Sequence, residues 1–175
     1  VIFPIIKRMC DKKGVRCGLG GGIGDPNSVK AAFAMGASYI CTGTINQTSR
    51  EAGTCDDVRK MLVKATYSDV DMAPAADMFT ENVELQVLRK GSFFVQRAKH
   101  LHQLYTTYDS LNDIPTKIKD KVEKKYFKKS FEQVWEETKD FYINRLHDPE
   151  RVQKAEGDPK LKMALVFKWY LGLSS

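Results

Sequence analysis

Between residues 2 and 64 the sequence runs twice from a helix-like stretch into a short β-rich one. The joints between these stretches are short. Residues 2–13 read as a helix with Gly14 as its C′ residue, and "VRCGL" (15–19) as a strand. "DPNSVKAAFAMG" (25–36) is a second helix. Asp25 can cap it, Pro26 suits its first helical position, and Val29, Ala32 and Phe33 form its predicted buried stripe. Gly36 ends it, and "SYICT" (38–42) is a second strand. A third helix opens at Thr54, with Asp57 three residues on as an acidic analogue of a capping box. Helix, strand, helix, strand, helix is parallel α/β architecture.

The first joint, "GLGGGIGDP", places five glycines between Gly18 and Gly24. Two phosphate-binding patterns fail on it. The dinucleotide fingerprint needs a third glycine where Ile23 or Asp25 stands, and the Gly-Lys-Ser/Thr ending of a phosphate loop does not occur. Gly20, Gly21 and Gly22 nevertheless fall just past the carboxyl end of the first strand, and Gly43 and Thr44 just past that of the second. In a (β/α)8 barrel the active site lies at that face, with phosphate commonly held after strands seven and eight. Bare backbone N–H groups, a helix N-terminus and a threonine hydroxyl make an anion cradle. The alternative is a tight strand-to-helix turn with no ligand.

Composition narrows the rest. Cys10, Cys17, Cys41 and Cys55 show no C-x-x-C spacing, which reads as free buried thiols in a reducing, cytoplasmic setting. His100, His102 and His147 have no carboxylate or cysteine at metal-ligand spacing, so neither a metal site nor a catalytic role is expected of them. The first residues lack the pattern of a signal peptide, and no apolar run nears the roughly 20 residues of a membrane span. The net charge of +6 owes much to "KIKDKVEKKYFKKS" (117–130). That stretch reads as a solvated helix face first, an acidic protein partner second and nucleic acid last, since no nucleic-acid motif accompanies it.

Residues 68–91 read as a connecting loop with one short apolar alternation, and 92–175 as a helical extension. In that extension Phe94, Ala98, Leu101, Tyr105 and Tyr108 share a helical stripe. A Ser130–Gln133 capping box opens a helix burying Val134, Trp135, Phe141 and Tyr142, and a last helix runs from Asp158-Pro159 to near Gly172. A complete eight-fold barrel takes about 250 residues, yet only two barrel strands precede these helices. The expected fold is therefore α/β, the carboxyl-terminal part of a (β/α)8 TIM barrel (its last two strands and their helices, residues 1–67) followed by a mostly helical extension. The start without methionine agrees with a piece of a larger enzyme.

The segments "GGGIGDPNSVKAAFAMGASYICTGTINQTSREAGT" (20–54), "MAPAADMF" (72–79), "QVLRKGSFF" (86–94), "RAKHLHQLYTTYDSL" (97–111), "SFEQVWEET" (130–138) and "AEGDPKLKMALVFKWYLGLSS" (155–175) resemble the enoyl-reductase subunit of polyunsaturated fatty acid synthases. Its close relatives are the free-standing enoyl reductases of polyketide assembly lines, within the flavin-dependent nitronate monooxygenase-like barrels. The resemblance implies FMN as cofactor, NADPH or NADH as reductant, and an enoyl thioester on an acyl carrier protein as substrate. By position in the motif, Gly21, Gly22, Gly43 and Thr44 would hold the FMN phosphate, with Gln47 beside them. It also places the remaining flavin contacts in earlier barrel strands, so no catalytic residue is expected here and the chain alone is expected to be inactive. A homodimer is compatible with the resemblance. Two other readings stay open: a nitronate monooxygenase-like oxidoreductase, and a non-catalytic interaction module of a synthase complex.

Overall fold

A computed structural model describes residues 2–174, with side-chain surroundings given as far as Gly172. The chain divides into two compact units, Val1–Ala65 and Thr66–Ser175.

The first unit follows the predicted alternation: α1 (Phe3–Lys12), β1 (Gly18–Gly20), α2 (Pro26–Ala34), β2 (Tyr39–Cys41), a four-residue α3 (Thr44–Gln47) and α4 (Asp56–Lys64). The strands pair in parallel, Gly18 opposite Tyr39, Leu19 opposite Ile40 and Gly20 opposite Cys41. Asp25 caps α2 through a reciprocal box with Ser28, and Gly14 and Gly36 take left-handed backbone at the ends of α1 and α2.

Two local expectations change. In α2, Ala32 takes the buried place and Val29 is partly buried, whereas Phe33 is 50% exposed. One residue is a rotation of about 100° around a helix, so the small residue faces inward and its bulky neighbour does not. Thr54 does not cap α4. Cys55 stands at the N-cap without a side-chain bond, while Arg59 donates to the carbonyl of Thr54 at 2.9 Å and pairs with Asp56 at 3.0 Å. The arginine satisfies the backbone where the hydroxyl was expected to act.

The buried core of this unit is small: Phe3, Cys17, Ile23, Ala32 and Ala37. Outside it, Ile2, Ile5, Ile6 and Met9 form an exposed stripe along α1 at helical spacing. No residue of β1 or β2 is fully buried.

The second unit opens with a hairpin where one short strand was expected. β3 (Val70–Pro74) and β4 (Glu84–Leu88) pair antiparallel, from Val70 opposite Leu88 to Pro74 opposite Glu84. β3 carries an aspartate and a proline, which hides it from pattern reading; the proline sits at the last rung, where a missing N–H costs least. The open end is tied by Asp69. Its carboxylate accepts from the Thr66 N–H at 2.9 Å and hydroxyl at 3.0 Å, and its carbonyl accepts from the Arg89 N–H at 2.8 Å.

Five helices follow: α5 (Phe94–Thr107), α6 (Thr116–Val122), α7 (Phe131–Asp140), α8 (Pro149–Gly157) and α9 (Pro159–Ser174). Met163 to Phe167 of α9 are all essentially inaccessible, so this helix is covered on every side and forms the axis of the core. α9 is described as far as Ser174, two residues past the Gly172 near which the sequence ends it. α8, whose N-terminus Asp148 caps through the Arg151 N–H, lies in a charged stretch with little apolar pattern and carries no clear signal in the sequence. Single π-helical turns extend α6 (Glu123–Phe127) and α7 (Phe141–Arg145). The wider turn leaves Phe141 and Tyr142 half-buried, not buried as their spacing predicts. Lys160, at the start of α9, reaches the last turn of α5: its ammonium donates to the carbonyls of Tyr105 and Tyr108 and stacks on the Tyr105 ring. A cation at a helix C-terminus meets both the unpaired carbonyls and the negative end of the dipole.

A glycine-lined strand end as the candidate cofactor site

Parallel pairing decides the geometry. With Gly20 opposite Cys41 on the last rung, the turn through Gly21 and Gly22 and the turn through Gly43 and Thr44 leave the same end of the two-stranded sheet, their carboxyl ends. Four of the five candidate residues thus share one rim, and Gln47, the last residue of α3, follows directly.

The five glycines of the cluster serve different ends. Gly18 is bare for packing: a Cβ there would lie 2.1 Å from the Tyr39 ring across the ladder. Gly21 and Gly22 are bare for conformation, with φ of 90° and 68°. A Cβ on Gly21, Gly22 or Gly43 would meet nothing within 4 Å, so the three backbones face open space. Among the described residues, the N–H groups of Gly21, Gly22, Gly43 and Thr44 donate to no carbonyl in a turn or cap. Free donors around an open space on one rim fit a phosphate in number and chemistry.

α2 does not add its N-terminus to this cradle as expected. The Asp25 carboxylate accepts from the N–H groups of Asn27 at 2.8 Å and Ser28 at 3.2 Å, so α2 is already capped by its own anion. The Ser28 hydroxyl and these two N–H groups hold the Asp25 carboxyl below its ordinary pKa. Loop backbone therefore makes up the first half of the rim.

The second half is braced by residues that the sequence pattern does not single out. The Thr42 hydroxyl donates to the Asn46 side-chain oxygen at 3.1 Å, and the Asn46 amide donates to the Thr42 carbonyl at 3.0 Å. This two-bond clasp spans Gly43 and Thr44 and fixes their backbone. No side-chain hydrogen bond within the chain engages Thr44 or Gln47 among the described residues.

Other segments have structural duties. "MAPAADMF" packs inside the second unit: Ala73, Ala75 and Phe79 are fully buried, and Phe79 lies against the rings of His102, Tyr105 and Phe167. His100 shares a 2.9 Å hydrogen bond with the Tyr126 hydroxyl, and burial followed by the nearby Lys121 charge lowers its pKa. His147 takes left-handed backbone after the π-turn. All four cysteines are free, but Cys41 and Cys55 are exposed rather than buried, because β2 is uncovered and Cys55 stands at a helix cap. No described helix is long and apolar enough to cross a membrane.

The chain is 60% identical over its whole length to one subunit of the polyunsaturated fatty acid synthase of Thraustochytrium sp., of which it covers 9%. It is 58% identical over 92% of its length to another subunit of the synthase from the same organism, covering 11% of it. A crystal structure of the enoyl reductase domain of MlnA, from the macrolactin biosynthesis cluster of Bacillus amyloliquefaciens, matches 98% of this chain with a TM-score of 0.82 and 38% identity, and the chain covers 38% of that structure. The chain thus spans about a tenth of the length of the two curated synthase relatives. Residues 108–175 match the model of the inserted helical domain of [acyl-carrier-protein] S-malonyltransferase, not that of a nitronate monooxygenase. The chain is similar to part of two polyunsaturated fatty acid synthase subunits and to part of the enoyl reductase domain of MlnA.

Proposed function

We propose that this chain is the phosphate-holding end of an FMN-dependent enoyl reductase that acts on carrier-bound enoyl thioesters in polyunsaturated fatty acid or polyketide biosynthesis, with NADPH or NADH as reductant. The observation that carries the reading is the shared rim of Gly21, Gly22, Gly43 and Thr44 at the carboxyl ends of paired parallel strands. The N–H groups of these four residues would hold the FMN phosphate. The Thr44 hydroxyl would donate one further bond, and Gln47 would stand beside them. The cofactor would supply hydride transfer from the nicotinamide to the enoyl β-carbon. The clasp of Thr42 and Asn46 would keep the donors in place before the phosphate arrives, so that binding does not have to order them.

The barrel reading draws support from the uncovered strands. Parallel sheets are ordinarily buried on both faces, yet here Tyr39 is 51% exposed and the α1 stripe stands open. Further strands and helices of a (β/α)8 barrel would cover both.

The test uses the full-length protein that carries this chain. Its purified form should show a flavin spectrum and oxidise NADPH or NADH with a short enoyl thioester. Gly43→Asp, which sets a carboxylate on the rim, should cut FMN affinity at least tenfold with unchanged circular dichroism. A colourless wild type, or a Gly43→Asp variant that keeps its flavin, refutes the assignment.

The match of residues 108–175 to an inserted helical domain favours a second role for the helical unit, as a non-catalytic assembly scaffold. The Ser130 hydroxyl there caps α7 and that of Ser110 donates to Asp113, which are structural duties. Co-purification of other synthase proteins with residues 66–175 deleted tests it; undiminished co-purification removes the scaffold role.

A further inference from the structure

The element from Thr116 to Lys129 buries one side and bares the other. Ile118, Val122, Tyr126 and Phe127 pack against the core, and Glu123 turns inward to accept the Phe131 N–H at 2.7 Å. Its exposed side carries Lys117, Lys121, Lys124, Lys125, Lys128 and Lys129, against one acid, Asp120.

What distinguishes this face is the absence of partners. Elsewhere in the second unit most lysines are matched, among them Lys90 with Asp69, Lys99 with Asp71, Lys139 with Glu136 and Lys162 with Glu156. On this element Lys119, half-buried, pairs with Glu132, and Lys129 pairs with Glu137. Lys117, Lys121, Lys124, Lys125 and Lys128 have no carboxylate within 4 Å among the described residues; outside this face, Lys154 and Lys168 alone in the unit share that state. Like charges three and four residues apart weaken a helix. The buried aromatic side and the π-turn nevertheless hold them in one array.

We infer that this face is a docking surface for an acidic acyl carrier domain, its five unmatched ammonium groups facing the partner's carboxylates. The inference rests on the proposed function for the identity of the partner, and on charge complementarity for the surface. An array of one sign speeds encounter and orients the partner, and its effect falls with salt because each group is exposed. Lys129 is not part of the array, since Glu137 already neutralises it.

The experiment titrates fluorescently labelled carrier domain, with its phosphopantetheine arm, into the full-length protein. Lys117, Lys121, Lys124, Lys125 and Lys128 are changed together to Glu. Lys124→Glu/Lys125→Glu is the milder variant and Lys154→Glu the control. Wild-type affinity should fall about tenfold between roughly 0.05 and 0.5 M salt. The fivefold variant should lose at least about thirtyfold and the double variant severalfold, while the control stays within about twofold. The inference is overturned if the wild type does not bind carrier, or if a folded double variant binds it as well as wild type. It is overturned equally if Lys154→Glu loses as much, or if the lysines govern binding of duplex DNA and not of carrier. Reduction of a short enoyl thioester, which needs no carrier, reports on the reductase reading separately. Lysine-dependent carrier binding without that activity leaves the surface standing and removes the reductase.

Discussion

Gly18 and Asp25 show how much a single residue settles in the first unit. The Tyr39 ring covers the Cα of Gly18, so Gly18→Ala should destabilise the unit by about 1–3 kcal/mol, the usual range for overpacking. Tyr39→Ala should abolish that cost; a double-mutant cycle in urea measures it, and additive effects would refute the contact. Asp25 accepts from N–H groups only while ionised, and its folded pKa lies below the ordinary value. Its contribution is therefore complete above the unfolded carboxyl pKa and disappears as the pH drops through the folded one. Asp25→Asn still caps but cannot titrate. Urea midpoints of the two proteins should converge as the pH falls below the carboxylate range, and a constant gap would refute the linkage. The roles of such residues are unevenly legible in the sequence. Positive φ at Gly21 and the capping by Asp25 follow from residue type and position. The Tyr39 ring over Gly18 and the Thr42–Asn46 clasp do not, because they depend on register and rotamer.

At the scale of elements, strong periodicity is readable and weak periodicity is not. α5 and α7 carry clear apolar stripes, and the Ser130–Gln133 box forms as its spacing predicts. Ser130→Ala should cost about 1 kcal/mol, read from a urea or thermal midpoint. α8 and β3 are hard to see for different reasons: α8 has few apolar residues after its Asp148-Pro149 start, and an aspartate and a proline break the alternation of β3. Their existence is decided by packing on α9 and by pairing with β4. The π-turns escape pattern reading altogether, since one extra residue in a turn leaves no compositional mark. The candidate site is more legible than its surroundings. The two strand exits follow from glycine placement, and the Asp25 cap from its residue type and position. That the cap takes up the N–H groups of Asn27 and Ser28, and so removes one expected donor group, is seen only in the bond geometry.

For the molecule as a whole, the two units differ in how much they bury. The second has a continuous core of aromatic and aliphatic side chains around α9, and Phe79 at its centre is fully inaccessible. Phe79→Ala should cost about 3–5 kcal/mol by loss of transfer energy and cavity formation. The first unit has five buried core residues, of which two are alanines. Hydrogen exchange on this chain should therefore show α5, α7 and α9 protected at least about a hundredfold more than α1 and α2; equal protection would contradict the difference in burial.

Lys160 carries a consequence of its own. It closes the end of α5 from a position 52 residues downstream of Tyr108. A ribosome must therefore have delivered residue 160 before the last turn of α5 finds its cation. The carboxyl end of α5 thus gains this cap only after the chain has grown past α6, α7 and α8.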